Sequence, residues 1–381
     1  MDPIVIIGTG LAGYNLAKEL RKLDKQVPLQ LITADSGESY SKPMLSNALS
    51  KGKTARQLIL SSAEQMAGQL AATIQANTLV EKIDPDGHTL DTSSGKVNYS
   101  KLVLAVGASQ ISPPLQGNAV AEIITVNNLN DYSGFRDVLE GAQHVAIIGP
   151  GLIGCEFAND LVSVNKDVTV IGPGVTPLDR LLPPSVGELV MNELSNAGVN
   201  WRLGVTATEV NRSNNHYHIT MSDGAEIVAD LVLSAVGLQP NIALAKEAGL
   251  KVNRGIVVNR LLQTSATDIY ALGDCIEIEG MVLPFVLPLM NAARTLAKTL
   301  TGTETRISYP AMPVVIKTPV HPIVVSAPEQ NAQGDWQIEI DEAGARALFQ
   351  NHNGALLGFV LTGDKVNEKQ ALSKLLPPVL S

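Results

Sequence analysis

Two glycine-rich turns carry the clearest chemical signal in the sequence. Each follows the pattern G-x-G-x-x-G, with Gly8, Gly10 and Gly13 in the first copy and Gly149, Gly151 and Gly154 in the second. The first glycine of this pattern permits a tight turn, the second lets the backbone approach a pyrophosphate, and the third lets a helix pack closely on a strand. The helix N-terminus adds a partial positive charge, so no basic side chain is needed there. The pattern predicts two dinucleotide sites.

The residues between these glycines are expected to contact the nucleotides too. They are Thr9, Leu11 and Ala12 in the first copy, and Leu152 and Ile153 in the second. An acidic residue some 20 positions on is expected to bind a ribose. The first copy has Asp35 in Thr33-Ala34-Asp35, whereas the second has no acid from Gly172 until Asp179 and no arginine between residues 171 and 178. Absence of both groups leaves NADH favoured over NADPH at the second site.

The remaining reactive residues give weaker signals. Cys155 and Cys275 are the only cysteines and lie 120 residues apart, which excludes a disulfide scaffold and suits a reducing cytoplasm. His216 and His218 share one side of a strand without a second ligand pair, so no metal site is expected. The six histidines show no Ser/His/Asp arrangement, and no residue is predicted to act as a catalytic acid or base.

Composition narrows the class of protein further. At 381 residues, 45% of them hydrophobic, the chain has enough apolar residues for two or three domains. The net charge of −9 argues against a nucleic acid or an anionic membrane as the main partner. The N-terminus lacks the basic region of a secretory signal, and the longest apolar stretch is ten residues with two prolines. These features predict a cytoplasmic location.

An internal repeat predicts the elements that position the two turns. Residues 4–13 match residues 145–154, and the apolar spacing continues through Ala12, Leu16, Leu20 and Leu23 in one copy and Ile153, Phe157, Leu161 and Val164 in the other. Each copy then has a second apolar strand and a small β-meander. The predicted fold class is therefore α/β, with two Rossmann-like dinucleotide-binding domains and a small C-terminal α+β domain.

The same pattern gives the expected domain boundaries. We assign residues 1–108 to the first part of one nucleotide domain, 109–238 to the second nucleotide domain and 239–305 to the returning part of the first. A helix is predicted from about Leu287 to Leu300. After Gly302 the composition becomes rich in proline, and residues 306–381 form the C-terminal domain.

The segment Thr264–Cys275, together with the glycine-ended strands at 105–108 and 234–237, resembles the flavin-dependent pyridine-nucleotide disulfide oxidoreductase superfamily over about residues 3–302. The resemblance implies FAD in the first unit and NADH in the second. It also implies that Asp274 hydrogen-bonds the flavin ribityl chain. Members that relay electrons through a dithiol need two cysteines close in sequence. Neither Cys155 nor Cys275 has such a neighbour, so both are expected to be packing residues.

Within that superfamily, the segments 40–46, 151–156 and 315–319 look like those of the rubredoxin and flavorubredoxin reductases. This resemblance implies hydride transfer from NADH to FAD, followed by single-electron transfer to rubredoxin, a small acidic iron protein. A flavorubredoxin or ferredoxin acceptor and an NADH oxidase are the alternatives. A monomer or weak dimer is expected, and the downstream pathway is either alkane hydroxylation or detoxification of oxygen or nitric oxide.

Five further residues take roles from the resemblance alone. It places Lys42 near the flavin and its phosphates, Val80 at the adenine, Glu156 at the flavin–nicotinamide stack, Val286 at the flavin's pyrimidine edge and Lys317 near the isoalloxazine ring. One departure concerns the position after Leu45-Ser46. Many iron–sulfur-protein reductases have a lysine there, close to flavin N5, whereas this chain has Asn47, so that lysine stays unassigned. Lys365, Lys369 and Lys374 are expected on one basic helical face, either solvated or docking an acidic partner.

Overall fold

The computed structural model describes residues 2–381, which alternate strands and helices before ending in an antiparallel sheet. The strands up to the first domain crossing are β1 Ile4–Ile7, β2 Leu29–Ile32, β3 Ser39–Tyr40, β4 Ile59–Ser61, β5 Thr73–Gln75, β6 Val80–Asp84, β7 Thr89–Thr92, β8 Gly95–Asn98, β9 Lys101–Leu104 and β10 Ala108–Gln110. The helices of this part are α1 Leu11–Leu23, α2 Ala55–Leu58 and α3 Ala63–Leu70, with a 3₁₀ segment at Lys42–Asn47.

The second nucleotide unit and the segment that follows it come next along the chain. Their helices are α4 Leu129–Leu139, α5 Leu152–Val162, α6 Pro184–Asn196, α7 Ala243–Glu247 and α8 Val286–Leu300. Their strands are β11 His144–Ile148, β12 Asp167–Gly172, β13 Val199–Leu203, β14 Ala207–Ser213, β15 His216–Met221, β16 Glu226–Ala229, β17 Leu231–Ser234, β18 Leu238–Pro240, β19 Ile256–Val258, β20 Ile269–Ala271 and β21 Ile276–Ile278. The helix predicted from Leu287 is confirmed and begins one residue earlier.

Two parallel sheets hold the glycine-rich turns at their carboxyl edges. The first has the order β20-β9-β1-β2-β5 and the second the order β13-β12-β11-β17. Gly8 lies between β1 and α1, and Gly149 lies between β11 and α5. Because β20 pairs in parallel with β9, a segment that follows the second unit returns to the sheet of the first. The α/β fold class with two Rossmann-like units is confirmed.

The apolar stripe predicted along α1 and α5 is correct in its middle and wrong at one end of each helix. Leu16, Leu20, Phe157 and Leu161 are buried, as the spacing predicts. Leu23 is 53% exposed because it is the last residue of α1, where the buried face of the helix ends. Ile153 is 36% exposed because the first turn of α5 lies at the open carboxyl edge, on the nucleotide side.

The two nucleotide units are joined by a short antiparallel ribbon. β10 pairs with β18, so that Ala108 is opposite Pro240 and Gln110 is opposite Leu238. Gly107 and Gly237 precede these strands with φ of 67° and 122°, in the region that favours glycine. At this ribbon the chain leaves the first unit and later returns to it, which supports the domain boundaries at 108 and 238 that we propose.

The last domain is an antiparallel sheet of order β22-β23-β26-β25-β24. Its elements are β22 Val314–Ile316, β23 Ile323–Ser326, β24 Asp335–Asp341, β25 Gly344–Gln350 and β26 Leu356–Thr362, followed by a 3₁₀ segment Gly363–Glu368 and α9 Lys369–Ser373. The predicted α+β character is confirmed. Within residues 2–381, no helix has both the length and the apolar character needed to cross a bilayer.

The prediction of one continuous basic helical face in this domain is wrong. Lys365 lies in the 3₁₀ segment, whereas Lys369 begins α9, so the α-helical spacing is broken between them. The Lys365 ammonium lies 2.7 Å from the carboxylate of Asp341, which neutralises it.

Candidate active site

The second glycine of each turn leaves an open space in front of the backbone. A Cβ built on Gly10 or on Gly151 meets no protein atom within 4 Å. The third glycine of each turn has no room for a side chain. A Cβ on Gly13 would lie 1.9 Å from the carbonyl oxygen of Gly8, and a Cβ on Gly154 would lie 1.9 Å from that of Gly149. Both turns therefore have the contact pattern of a pyrophosphate cradle, at the N-termini of α1 and α5.

Asp35 lies beside the first turn. Its Oδ1 accepts hydrogen bonds from Thr33 Oγ1 at 2.8 Å, from the Gly37 amide at 2.9 Å and from Thr9 Oγ1 at 3.4 Å. This fixes the carboxylate at the end of β2, next to the second residue of the glycine motif. The structure thus brings Thr9, Thr33 and Asp35 together beside the first glycine turn.

Val80 lies close to the same edge. The chain just before it runs beside β2, since the Thr78 amide donates to the Thr33 carbonyl and the Asn77 amide to the Asp35 carbonyl, both at 2.8 Å. Val80 itself is the first residue of β6 and is buried. Ala34, between the two accepting residues, is exposed. An apolar side chain at this place suits an adenine ring.

Asp274 and Lys42 place opposite charges inside one poorly solvated region. Asp274 follows β20 at the carboxyl edge of the first sheet, and the neighbouring Gly273 packs so closely that a Cβ there would lie 2.9 Å from Ala12 in α1. Burial raises the pKa of Asp274 and lowers the pKa of Lys42, and the attraction between the two charges opposes both shifts. Ionisable groups held in this way characterise a binding site more than a protein core.

Glu156 is the centre of a contact among all three domains. Its side chain is fully buried in α5. It accepts a hydrogen bond from Ser46 Oγ at 2.6 Å and from the Lys317 amide at 2.9 Å, and it forms an ion pair with the Lys317 ammonium. The same ammonium lies 3.1 Å from Ser46 Oγ. One carboxylate therefore connects the 3₁₀ segment of the first domain, α5 of the second and the residue that follows β22 in the third.

The ion pair with Glu156 places the Lys317 ammonium next to position 47, where the sequence has no lysine. Asn47 occupies that position, and its amide oxygen is buried without a hydrogen-bond donor among residues 2–381. The Lys317 ammonium reaches the adjacent Ser46 from the third domain. The Lys317 ammonium therefore lies beside this segment although the two residues are 271 positions apart in the sequence.

Two polar residues beside Glu156 were not predicted from the sequence. Asp160 is buried and accepts hydrogen bonds from the amides of Leu49 and Ser50, each at 2.9 Å. Asn159 accepts one from the amide of Val320 at 3.2 Å. The signal was present, because Glu156, Asn159 and Asp160 lie at i, i+3 and i+4 on a helix that is otherwise mostly apolar. A polar stripe on a buried helix indicates a polar contact with another element.

The N-terminus of α8 presents an apolar, partly exposed turn. Val286 is the first residue of this 15-residue helix and is 42% exposed, and its neighbours Phe285 and Leu287 are similarly open. The helix packs along α1, which follows the first glycine turn. Val286 therefore lies on the same nucleotide unit as Asp274.

The two cysteines take no part in this arrangement. Both are free and completely buried, Cys155 in α5 and Cys275 after β20. Burial raises the pKa of both thiols, to about 12 for Cys275, which suppresses the reactive thiolate. The prediction that they are packing residues agrees with this environment.

The arrangement fits a flavin dinucleotide in the first unit. The turn at Gly10 leaves open space for a pyrophosphate, and the Asp35 carboxylate lies beside this turn. The charged groups of Asp274 and Lys42 are partly buried in the same domain. The second unit repeats the cradle at Gly151 and carries Glu156 one turn further along its helix.

Comparisons with known proteins identify two matching family models. Residues 2–297 match the model for pyridine nucleotide-disulphide oxidoreductases. Residues 306–376 match the model for a rubredoxin-binding C-terminal domain. Together the two matches span both nucleotide units and nearly all of the last domain.

Individual proteins show the same similarity over the full length. A rubredoxin-NAD(+) reductase from Alcanivorax borkumensis is 49% identical over 381 residues, covering 100% of both chains. A nitric oxide reductase FlRd-NAD(+) reductase from Vibrio vulnificus is 40% identical, covering 96% of each chain. Among solved structures, a ferredoxin reductase from Rhodopseudomonas palustris has a TM-score of 0.89 at 26% identity, covering 99% of this chain and 96% of that one.

Proposed function

The chain belongs to the pyridine nucleotide-disulphide oxidoreductase family, and from that premise we propose that it is an NADH:rubredoxin reductase. The observation that supports rubredoxin as the electron acceptor is the position of Lys317. It lies in the domain matched by the rubredoxin-binding model, and its ammonium contacts Ser46 of the first nucleotide unit and Glu156 of the second. The domain that receives the acceptor is therefore anchored directly at the junction of the two nucleotide units.

Bound FAD supplies the redox chemistry, because a flavin accepts a hydride and releases single electrons. The protein contributes position and charge. We propose that Gly8, Gly10 and Gly13, with Thr9, Leu11 and Ala12, bind the FAD pyrophosphate, and that Thr33, Ala34, Asp35 and Val80 bind its adenosine. Lys42, Asp274 and Val286 hold the flavin half. Orienting two rings face to face needs no protein acid or base.

The second unit receives the reductant. We propose that Gly149, Gly151 and Gly154, with Leu152 and Ile153, bind the NADH pyrophosphate. Glu156 follows in the same helix and orients the nicotinamide side of the stack, while its ion pair holds Lys317 beside the flavin. The thiols of Cys155 and Cys275 are buried and apart, so electrons leave without a dithiol relay.

A second acceptor is favoured by one comparison. The Vibrio relative bears a flavorubredoxin-type name at 40% identity. Flavorubredoxin and free rubredoxin are therefore the two candidate acceptors. Measuring kcat/KM of the enzyme with each of them distinguishes the two proposals. We expect the higher value for free rubredoxin, in accord with the 49% identical relative.

We also propose a cytoplasmic location and a monomer or weak dimer. Two free, buried cysteines suit a reducing compartment, where NADH is the available reductant. Electron-transfer partners of this kind dock over small interfaces and separate quickly. A second tightly bound copy is not needed for such docking.

The purified protein should be yellow and should bleach when NADH is added without oxygen. The yellow colour is expected because the glycine turn and charged residues of the first unit bind FAD. Bleaching is expected because the glycine turn of the second unit binds the NADH that reduces it. The measurement is the visible spectrum before and after one equivalent of NADH. A colourless protein that binds no added FAD, or a yellow one that NADH leaves unchanged, would contradict the proposed function.

A further inference from the structure

The second nucleotide unit lacks a side chain where the first has its ribose-binding acid. The Gly8 amide donates to the Ile32 carbonyl at 2.8 Å, and the Gly149 amide donates to the Ile171 carbonyl at 2.9 Å. These equivalent bonds align the two units, so that Asp35, three residues after Ile32, corresponds to Gly174. In this alignment the second unit has a glycine, Gly174, where the first unit has the carboxylate of Asp35.

The strand end cannot supply the acid either. A Cβ built on Gly172 would lie 2.1 Å from Cδ of Pro150, the second residue of the glycine motif. The proline ring therefore fills the space into which a side chain at position 172 would extend. An acid at the end of β12 would require the motif itself to move.

The carboxylate of a later residue, Asp179, occupies the space beside Gly174. A Cβ built on Gly174 would lie 2.3 Å from Oδ2 and 2.7 Å from Cγ of Asp179. The Asp179 carboxylate thus lies where the side chain equivalent to Asp35 would begin. Asp179 is exposed and forms no side-chain hydrogen bond or ion pair within residues 2–381, so its oxygens remain free for a ligand.

The turn that delivers Asp179 is fixed to the glycine motif. The amide of Leu178 donates to the carbonyl of Pro150 at 2.9 Å. Leu178 is 2% exposed and has a φ of 57°, an unusual conformation for a leucine. A buried anchor in a strained conformation holds the next residue in a defined position.

We propose that Asp179 binds the adenosine ribose hydroxyls of NADH and repels the 2′-phosphate of NADPH. This inference rests on the proposed function, in which the second unit binds the nicotinamide nucleotide. A carboxylate accepts two hydroxyl hydrogen bonds well, and its charge opposes a phosphate at the same place. The chain thus obtains its coenzyme specificity from a residue five positions after Gly174, the counterpart of Asp35.

The test compares NADH with NADPH in wild type, Asp179→Asn and Asp179→Ala. Anaerobic flavin reduction gives kcat/KM for each coenzyme, and calorimetric titration with NAD⁺ and NADP⁺ gives binding without turnover. Wild type should prefer NADH. Each variant should lose about 10-fold in kcat/KM for NADH and gain about 10-fold for NADPH, since one charge-assisted contact and one repulsion are removed. Glu188→Gln, an exposed acid in α6, is the matched control and should leave both values within 2-fold.

The outcomes separate this inference from the proposed function. If NADH reduces the wild type and the NADH/NADPH ratio of both Asp179 variants stays within 3-fold of wild type, Asp179 is not the determinant. Equal use of the two coenzymes by the wild type also overturns it. A wild type reduced by neither coenzyme overturns the proposed function and this inference together. An unchanged flavin spectrum in the variants shows that the fold is intact.

Discussion

Gly151→Ala should leave FAD bound and lower kcat/KM for NADH by about 100-fold, whereas Gly10→Ala should remove the FAD itself. A loss of 100-fold corresponds to about 2.7 kcal/mol of transition-state binding. The added methyl would stand in the open space in front of each turn, where nothing from the protein lies within 4 Å. Gly10 and Gly151 have φ values of −66° and −80°, so alanine fits the backbone without strain.

The fold should survive both substitutions, which makes the losses specific. A methyl on Gly13 or Gly154 would instead collide with a carbonyl oxygen at 1.9 Å and disrupt the turn. Flavin content measured by absorbance and NAD⁺ affinity measured by calorimetry report on the two sites separately. Gly10→Ala should keep the NAD⁺ affinity of the second unit.

Gly68→Ala is the matched control for these two variants. Gly68 lies inside α3, where a Cβ also meets no atom within 4 Å, and alanine is the better helix former. Its flavin content and KM should equal those of wild type. The opposite pattern, with Gly151→Ala losing FAD and Gly10→Ala losing NADH affinity, would show that the two nucleotides are assigned to the wrong units.

Lys317→Met should lower the free energy of unfolding by about 3 kcal/mol. Removing one partner of a buried ion pair typically costs about 3–5 kcal/mol, because the other charge stays buried. The Glu156 carboxylate is fully buried, but the Lys317 side chain is 25% exposed, so water reaches part of the site and the lower value applies. The melting temperature should fall by roughly 5 °C, and docking of the third domain should weaken.

Three further variants make this result interpretable. Lys374→Met removes an exposed lysine of the same domain and should cost less than about 0.5 kcal/mol. Glu156→Gln and the double variant complete a cycle that isolates the pair from the hydrogen bond to Ser46. A Lys317→Met protein as stable as the Lys374→Met control, by calorimetry of both, would contradict a structural role for the ion pair.

The fold was predictable from the sequence wherever a short pattern determines local geometry. Gly8 and Gly149 end apolar strands and begin helices with regular spacing, so each turn, strand and helix could be placed together. The pattern failed at two helix ends, where Leu23 and Ile153 are exposed although the spacing predicts that they are buried. It also failed where a 3₁₀ segment separates Lys365 from Lys369, since the helical period assumes a continuous helix.

The candidate site was less predictable because its contacts join distant parts of the chain. The ion pair between Glu156 and Lys317 spans 161 residues, and no spacing rule brings such residues together. The polar stripe on α5 marks Asp160 as a contact residue, but its partners, the amides of Leu49 and Ser50, lie about 110 residues away and could not be read from the sequence. Likewise, the sequence places Asp179 too far from the strand end to suggest a ribose-binding role. Only the structure shows that its carboxylate lies against Gly174.

The rate at which reduced enzyme is reoxidised tests the central claim most directly. Enzyme reduced by one equivalent of NADH without oxygen is mixed rapidly with oxidised rubredoxin or with air-saturated buffer, and the return of flavin absorbance is followed. We expect reoxidation by rubredoxin to be at least about 100-fold faster than by oxygen, because the third domain is anchored at the junction of the nucleotide units through Lys317. Equal rates with the two oxidants would contradict a rubredoxin reductase and support an NADH oxidase.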